Sequence, residues 1–243
     1  MEKTYNGGKS GSGVYQKIIN QIPPHELYIE AFAGNYSIGR HKRPAVASIA
    51  IEIDAEQCWK LIELNLAGTT IVNGDTISLL KSTIAKSSVP SEKIFVYLDP
   101  PYLFETRSSK RPIYDHEFGN ADQHQALLEL IKTLECNVAI SGYWSELYER
   151  ELAGWRSITF NTVVRSGDTR EEWLWMNYPE PIALHDYSYL GDNFRERERI
   201  KRKVSRWKAK LEKMDVLERR AILMAIQSAG SIATKSEPGE KKS

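Results

Sequence analysis

The sequence has 243 residues, 41% of them hydrophobic, which is enough to bury one α/β core with an appendage but argues against two large domains. Its two cysteines, Cys58 and Cys136, belong to no Cys-x-x-Cys or Cys/His cluster, which argues against a zinc site or a disulfide framework and favours a reducing compartment. The formal net charge of +1 hides an asymmetry, because residues 195–213 carry ten Lys or Arg against three Glu.

Membrane and export signals are missing from the sequence pattern. No apolar run approaches the roughly 18 residues that span a membrane, and residues 1–6 lack the apolar core of a signal peptide. We therefore expect a soluble, cytoplasmic protein that has no membrane or metal partner and is a monomer or weak dimer.

The glycine-rich residues 5–13 could hold a phosphate, but neither common template fits. A P-loop needs glycine where Lys3 stands, and a dinucleotide fingerprint that starts at Gly11 needs glycine where Gln16 stands. A helix is predicted for residues 14–21, ended by two prolines.

Apolar runs and helical periodicity then alternate along the chain. Strands are predicted at residues 27–32, 45–53, 69–73, 93–98 and 136–141, and amphipathic helices at residues 55–66 and 122–135. Two further runs, residues 155–164 and 172–178, flank a basic turn and predict an antiparallel hairpin. Strands that alternate with helices form a parallel sheet, so the pattern predicts an α/β fold.

Acidic residues occur at the ends of four predicted strands, about one β-α unit apart: Glu30, Asp54, Asp75 and Asp99. Because the carboxyl ends of parallel strands meet at one edge of a sheet, these side chains should converge there. Asp54, about 20 residues beyond the glycine turn at residues 33–37, is placed to accept both hydroxyls of a ribose. Its alternative role is the N-cap of the following helix.

The tetrapeptide Asp99-Pro100-Pro101-Tyr102 follows the fourth of these strands and combines a carboxylate, two rigid prolines and an aromatic ring. Each proline fixes its own φ and extends the preceding residue, so the carbonyls of Asp99 and Pro100 should point in fixed directions. This combination suits a site that holds a flat ring bearing an amine. The alternative is an ordinary Pro-Pro turn after a strand.

Basic segments later in the chain are candidates for contacting nucleic acid. Basic and aromatic side chains alternate in residues 103–120, and the hairpin turn and the C-terminal helix add further cations. The candidate residues are Arg107, Lys110, Arg111, Tyr114, Arg165, Arg170, Lys201 and Arg202. Alternatively, these segments are a solvated loop, a surface turn and a docked helix with a solvated charged face.

One long helix is predicted from Asn193 onward, with an apolar seam that would face a partner surface. The seam residues repeat at alternating spacings of four and three: Ile200, Val204, Trp207, Leu211, Met214, Leu217 and Ala221. We therefore divide the chain into a catalytic domain (residues 1–190), a basic helical extension (191–228) and a disordered tail (229–243).

Taken together, the motifs resemble those of the Dam-like N6-adenine-specific DNA methyltransferases of phages and bacteria. The matching motifs, in the family's order, are Gly7-Gly8-Lys9, Glu30-Ala31-Phe32-Ala33-Gly34-Asn35, an acid after the second strand, and Asp99-Pro100-Pro101-Tyr102. Residues 141–143 and 172–177 resemble the family's later motifs, so the likeness covers about residues 5 to 180. Two departures are Ala31, where the family often has proline, and Asn35-Tyr36, which replaces a second glycine.

The resemblance implies a Rossmann-like, class I S-adenosylmethionine-dependent methyltransferase: a mostly parallel seven-stranded sheet with an antiparallel edge hairpin and a C-terminal helical extension. It also implies double-stranded DNA as partner. The implied catalytic residues are Asp99, Pro100, Pro101 and Tyr102. The implied cofactor residues are Phe32, Ala33 and Gly34 for the methionine, Asp54 for the ribose, Asp75 and Thr76 for the adenine, with Tyr5, Lys9, Glu30 and Asn35 around the pocket.

In the implied reaction, an adenine is flipped out of the duplex and stacks on Tyr102, while Asp99 and the Pro100 carbonyl accept hydrogen bonds from its amine. Two alternatives stay open. The substrate could be RNA, because such a site recognises a base and not its sugar, or the protein could be a non-catalytic DNA-binding module with a degenerate cofactor site.

Overall fold

The computed structural model describes Lys9 and residues 13–106, 118–163 and 169–233. Within these ranges the chain divides between Tyr189 and Leu190 into two compact units. The first unit contains a sheet with helices on both faces, and the second consists of two helices.

A seven-stranded sheet organises the first unit. Its strands are β1 (Leu27–Ala31), β2 (Ala47–Glu52), β3 (Thr69–Asn73), β4 (Ile94–Leu98), β5 (Asn137–Gly142), β6 (Arg156–Val163) and β7 (Thr169–Met176). They lie in the order β3-β2-β1-β4-β5-β7-β6, with β1 to β5 parallel and β7 antiparallel to both β5 and β6. The mostly parallel sheet with an antiparallel edge hairpin is confirmed.

Six helices surround this sheet: α1 (Val14–Ile19), α2 (Ser37–His41), α3 (Ala55–Glu63), α4 (Thr76–Ala85), α5 (Ala121–Lys132) and α6 (Glu146–Glu151). Four of them begin at a side chain that accepts a backbone N–H of the first turn, namely Asp54, Asp75, Asn120 and Ser145. Each such cap contributes about 1 kcal/mol. The short polar residues between strands and helices therefore determine where the helices start.

Two apolar clusters lie on opposite faces of the sheet. One includes side chains of α4, α5 and α6, such as Leu80, Leu127 and Tyr148. The other includes side chains of α1, α2 and α3, such as Ile18 and Leu61. Because both faces are covered, every residue of β1 and β4 is buried, which explains why these central strands are almost continuous apolar runs.

The second unit differs from the single long helix predicted from the sequence. It consists of α7 (Phe194–Glu212) and α8 (Val216–Ala233). The chain breaks between them because Asp215 starts a new helix, its carboxylate accepting the N–H of Leu217 at 2.9 Å. Residues 229–233, expected to begin a disordered tail, belong to α8, and residues 234–243 lie outside the described residues.

Each helix of the second unit has exposed apolar side chains. Val204 and Trp207 of α7 are 61% and 52% exposed, and Met224 of α8 is 70% exposed. A groove of about 550 Å³ is lined by Lys203, Val204, Trp207, Lys208, Leu211, Glu212 and Arg219. In the part of the chain that the structure describes, no helix combines the length and the hydrophobicity needed to cross a membrane.

Candidate active site

Strand register brings one residue from each of four central strands to the carboxyl edge of the sheet. Ala31 of β1 pairs with Ile51 of β2 and with Leu98 of β4, and Leu98 pairs with Ile140 of β5. The residues that follow them form a row across this edge: Phe32, Glu52, Asp99 and Ser141. Of the four acids expected to converge here, Asp99 stands in this row. Glu52 takes the place expected for Asp54, and β1 contributes Phe32 and not Glu30.

Asp99 lies in a cluster of charged and hydroxyl groups. Its Oδ1 is 2.9 Å from the Nζ of Lys9 and accepts a hydrogen bond of 2.9 Å from the Oγ of Ser141. Lys9 Nζ also contacts the Oε1 of Glu172 on β7. The Tyr97 hydroxyl lies 3.0 Å from Ser141 Oγ and supports it from β4. The side chains of Lys9 and Glu172 are 5% and 3% exposed, whereas that of Asp99 is 19% exposed. Asp99 is thus the accessible carboxylate of the cluster.

Burial and charge act in opposite directions within this cluster. Burial raises the pKa of the Asp99 carboxyl, the Lys9 ammonium opposes that rise, and the charge of Glu172 adds to it, so that the pKa of Asp99 is above its usual value. For Lys9, burial alone would lower the pKa, but the nearby charges of Asp99 and Glu172 raise it well above the ordinary value. Lys9 is therefore a permanent cation at this site.

Tyr102, the ring expected to stack on a base, is anchored at its hydroxyl. The Tyr102 hydroxyl contacts both Glu172 and Lys9, and its ring centroid lies 4.4 Å from that of Tyr143 at an interplanar angle of 52°. Lys9 Nζ lies 5.0 Å from the centroid of the Tyr102 ring. Burial and the charge of Glu172 raise the pKa of Tyr102 well above its usual value. Tyr102 is therefore a neutral ring held in a fixed position.

His124 of α5 ties together the two ends of the segment that follows the prolines. Its Nε2 lies 3.1 Å from the carbonyl oxygen of Pro101 and 2.9 Å from that of Phe118, and its Nδ1 lies 2.8 Å from the Tyr148 hydroxyl. Because carbonyl oxygens only accept, Nε2 carries a hydrogen. This buried imidazole fixes the direction of the Pro101 carbonyl beside Tyr102.

The turn after β1 has the strained geometry expected of a close backbone approach. Phe32, Gly34 and Tyr36 all have positive φ, at 56°, 48° and 54°. Two of these are bulky residues, for which the left-handed region costs about 1–2 kcal/mol. The Tyr36 ring is buried in the core over Gly39, where an added Cβ would lie 2.1 Å from it. The Tyr36 ring therefore packs into the core, although it replaces a glycine of the family pattern.

Glu52 holds this turn against the end of β2. Its Oε2 accepts the N–H of Gly34 at 2.7 Å, and its Oε1 accepts the N–H of Asp54 at 2.9 Å. Gln57 of α3 donates to the carbonyl of Gly34 at 2.9 Å. Burial raises the pKa of the Glu52 carboxyl. The backbone N–H of Ile53 also acts on this carboxylate, and a carboxylate has about four lone-pair sites, so Glu52 can accept one further hydrogen bond.

Asp54 and Asp75, predicted to bind cofactor, both cap helices. Asp54 Oδ1 accepts the N–H groups of Glu56 and Gln57 at 2.8 and 3.3 Å, which is the alternative role considered for it. Asp75 Oδ2 accepts from the N–H and the hydroxyl of Ser78 at 2.9 and 2.7 Å. Both remain close to the carboxyl edge, because they follow the ends of β2 and β3.

Glu30, Thr76, Ala33 and Asn35 complete the predicted cofactor set that the structure describes. Glu30 Oε2 accepts from the Tyr28 hydroxyl and from the N–H of Gly39, both at 2.7 Å, on the face covered by α1 to α3. Burial raises the pKa of Glu30 to about 7. Thr76 is buried at the start of α4.

Ala33 and Asn35 flank Gly34 in the strained turn. The N–H of Ala33 donates to Ile51 at 3.0 Å, and Asn35 accepts from Gln57 at 3.3 Å.

Most of the predicted nucleic-acid residues lie outside the described residues: Arg107, Lys110, Arg111, Tyr114 and Arg165, together with the cofactor candidate Tyr5. Of the others, Arg170 lies on β7 near Tyr143, whose pKa is raised chiefly by burial and lowered in part by this guanidinium. Lys201 and Arg202 are exposed on α7 in the second unit.

Four residues of the site were not identified from the sequence. Glu52 was missed because Ile53, which is 41% exposed, extends the apolar run and placed the strand end one residue too late. Ser141, His124 and Glu172 reach the site through pairings distant in sequence. The sequence contained one usable signal: residues 141–143 and 172–177, which include Ser141 and Glu172, resemble later motifs of the Dam-like methyltransferases.

Within the described ranges, no group of three or more His, Cys, Asp or Glu side chains could hold a metal ion. No protein-family model matches the chain, and no curated protein sequence is significantly similar to it.

Solved structures with a similar fold include several methyltransferases. The 23S rRNA methyltransferase ErmE is 12% identical, with 79% of this chain and 83% of that chain covered and a TM-score of 0.41. A dimethyladenosine transferase from Plasmodium falciparum is 15% identical, with coverages of 69% and 62% and a TM-score of 0.41. SMU.1697c from Streptococcus mutans, solved in complex with SAH, is 14% identical, with coverages of 66% and 94% and a TM-score of 0.42.

The strand order, the antiparallel β7 and the glycine turn at the carboxyl edge define a Rossmann-like fold of the class I methyltransferase type. At identities and TM-scores as low as these, likeness to individual structures extends no further than the fold. The activity is therefore argued from the side chains at the carboxyl edge.

Proposed function

We propose that this protein is an S-adenosylmethionine-dependent methyltransferase that modifies the N6 amine of adenine in DNA. The observation that carries the proposal is the Asp99 cluster, a buried set of charges whose one accessible carboxylate begins the Asp99-Pro100-Pro101-Tyr102 turn. This carboxylate lies in the same row as the glycine turn and Glu52, which offer the groups needed for a nucleoside cofactor.

The cofactor side consists of the turn at residues 32–36 and the ends of β2 and β3. S-adenosylmethionine, when bound, supplies a methyl group on a positively charged sulfur. Phe32, Ala33 and Gly34 would contact its methionine part, where the turn lets backbone approach closely. Glu52 would accept a ribose hydroxyl, because the three backbone N–H groups that act on its buried carboxylate leave one lone pair unused. Asp75 and Thr76 would lie near the adenine.

The substrate side must make a poor nucleophile react. The lone pair of the adenine amine is conjugated into the ring, so the nitrogen has to become tetrahedral before it attacks. Hydrogen bonds from the amine to Asp99 and to the Pro100 carbonyl favour that geometry. They also stabilise the positive charge that develops on nitrogen, and such preorganised electrostatics is commonly the largest catalytic contribution.

The base must leave the duplex to reach this site. Flipping costs a few kcal/mol, and stacking on an aromatic ring returns about 1–3 kcal/mol per base. Tyr102 is the ring that would supply this stacking, since its hydroxyl is anchored by Glu172 and Lys9. The cations Arg170, Lys201 and Arg202 would contact phosphates, which makes affinity strongly dependent on salt.

The test is a methyl-transfer assay with labelled S-adenosylmethionine on DNA and RNA of the same sequence, followed by mass spectrometry of the nucleosides. We expect N6-methyladenine in DNA, with the Asp99→Ala variant as the inactive control. If RNA is methylated and DNA is not, RNA replaces DNA as the proposed substrate. Incorporation into neither polymer, together with no calorimetric binding of the cofactor, would identify a non-catalytic protein.

A further inference from the structure

Glu172 is a buried carboxylate that the proposed reaction has not yet used. It lies at 2% exposure on β7, a strand of the edge hairpin, and reaches Lys9 and Tyr102 across 163 and 70 residues of sequence. The residue directly before it on the same strand, Glu171, is exposed. Burying a carboxylate is costly unless it is paired, so its position calls for a physical reason.

The charges of the cluster give a physical reason for the burial of Glu172. Among the described residues that contact one another here, Lys9 is the cation and both Asp99 and Glu172 are carboxylates. One ammonium cannot neutralise two carboxylates, so the ionised cluster carries a charge of −1. Because Glu172 and Lys9 are nearly inaccessible, that surplus is available to a substrate through Asp99, the member with 19% exposure.

We propose that Glu172 is a positioning residue for methyl transfer: it shares Lys9 with Asp99, so that Lys9 orients Asp99 without cancelling its charge towards the amine. This inference rests on the proposed function. A pair made of Lys9 and Asp99 alone would be neutral and would offer little to a developing cation. With Glu172 present, the Asp99 carboxylate keeps its attraction for the amine nitrogen in a site of low effective dielectric.

The same arrangement indicates which group accepts the proton that the amine loses. The nitrogen lone pair forms the new bond to the methyl carbon, the bond between that carbon and sulfur breaks with its electron pair passing to sulfur, and an N–H proton leaves. Asp99 accepts that proton. Burial raises the pKa of Asp99 and the charge of Glu172 raises it further, against the opposing effect of Lys9, so acceptance is easier than at an ordinary aspartate.

Glu172 also fixes the ring that holds the base. The Tyr102 hydroxyl contacts its carboxylate, and the ring therefore stays at one edge of the cluster. The charged and titratable groups that surround the cluster of Lys9, Asp99 and Glu172 are Glu30, Tyr97, Tyr102, Tyr143, Tyr148 and Arg170. Arg170 precedes Glu172 by two residues on the same strand, and it is only half-buried.

The experiment compares wild type with Glu172→Gln, Glu172→Asp and the matched control Glu171→Gln. Glutamine keeps the size and one acceptor oxygen but removes the charge. We expect kcat of Glu172→Gln to fall about 10- to 100-fold, with KM for S-adenosylmethionine within twofold of wild type. In Glu172→Gln, the acid limb of the pH profile of kcat should move to lower pH, because loss of the Glu172 charge lowers the pKa of Asp99. Glu172→Asp should restore most of kcat, and Glu171→Gln should match wild type.

A merely structural Glu172 predicts a different result. In that case Glu172→Gln would lower the melting temperature while leaving kcat and the pH profile unchanged, and the inference would be overturned. If Glu172→Gln does not fold, the NMR titration of Asp99 in Glu172→Asp takes its place: a carboxylate one methylene shorter lies farther from Asp99, so the charge-based role predicts a lower Asp99 midpoint, and an unchanged midpoint would overturn the inference.

Failure of the proposed function can be separated from failure of this inference. The titration of Asp99 is followed by carbon-13 NMR of labelled aspartate carboxyls, with the signal assigned by Asp99→Asn. A midpoint that drops in Glu172→Gln supports the charge sharing even in a protein that methylates neither polymer. An unchanged midpoint overturns it, whatever the activity.

Discussion

The two halves of the carboxyl edge stabilise buried carboxylates in different ways. At the β1–β2 half, Glu52 is held by backbone N–H groups of Gly34 and Asp54, which are neutral donors. At the β4–β5–β7 half, Asp99 is held by the cation Lys9 and by Ser141. Neutral donors leave the Glu52 carboxylate able to bind a hydroxyl group, whereas the shared cation leaves Asp99 able to attract a positive charge. In the proposed function, this difference separates a cofactor side from a reacting side.

Removing the reacting carboxylate should have the largest effect. Asp99→Ala deletes the group aimed at the developing charge on the amine, so we expect methyl incorporation to fall by about 10³-fold or more. Binding of S-adenosylmethionine, measured by calorimetry, should stay within a few-fold of wild type because Asp99 lies on the other half of the edge. A variant that methylates at half the wild-type rate would contradict the assignment.

Removing the shared cation should cost stability. Lys9→Met leaves Asp99 and Glu172 buried together without a cation, and we expect the free energy of unfolding in urea at pH 7 to drop by about 3–5 kcal/mol. The loss should shrink as pH falls, since burial and the charge of Glu172 raise the pKa of Asp99, and its protonation removes the repulsion between the two carboxylates.

The exposed pair Lys93–Glu26, with side chains 49% and 45% exposed, is the matched control for that variant. Lys93→Met should cost less than about 1 kcal/mol. Equal losses for the two lysine variants would show that the burial of the Asp99 cluster has no energetic consequence.

On the cofactor side, Glu52→Gln should weaken the binding of S-adenosylmethionine about 10- to 100-fold. The variant replaces a carboxylate that would accept a hydroxyl hydrogen by an amide with a single acceptor oxygen. Asp54→Ala should instead lower the free energy of unfolding by about 1 kcal/mol through loss of the α3 cap. The reverse pattern, with affinity lost in Asp54→Ala and kept in Glu52→Gln, would return the ribose to Asp54.

A pH-dependent effect concerns Glu30, a third buried carboxylate, whose hydrogen-bond partners are neutral. Its pKa is about 7 because burial opposes ionisation, against 4.5 for an unperturbed glutamate. The folded state therefore binds the proton more tightly than the unfolded state, and this contribution to stability is present below pH 4.5 and lost as pH rises through 7. At about 1.4 kcal/mol per pKa unit the loss is roughly 3 kcal/mol or less.

Glu30→Gln removes that titration, so its stability relative to wild type should increase between pH 5 and pH 8 in urea unfolding. A difference that is the same at both pH values would mean that Glu30 does not titrate in this range.

The parts of the fold that were predictable are those set by local pattern. β1 and β4 are almost continuous apolar runs, so their positions to within one residue, and that of Asp99 after β4, followed from the sequence. The split between α7 and α8 did not, because the apolar seam continues across Asp215, and only the capping contact to Leu217 shows the break.

The parts of the site that were not predictable depend on register and long-range pairing. One exposed isoleucine, Ile53, moved the expected acid from Glu52 to Asp54, since a shift of one or two residues at a strand end changes which side chain faces the edge. Glu172 is brought to Asp99 by the pairing of β7 with β5, where Gly142 faces Trp173. No local property of residues 169–176 indicates that pairing.

Lys9, Asp99 and Glu172 come from near the start, the middle and the last third of the chain. Contacts between residues so far apart form late in folding, because long loops must close before they can be made. A ribosome-bound chain that has not reached β7 has the glycine turn and the Asp99 turn but lacks the second carboxylate. The charge balance that we assign to catalysis therefore arises only when the edge hairpin is added to the sheet, which makes the reaction a property of the finished fold.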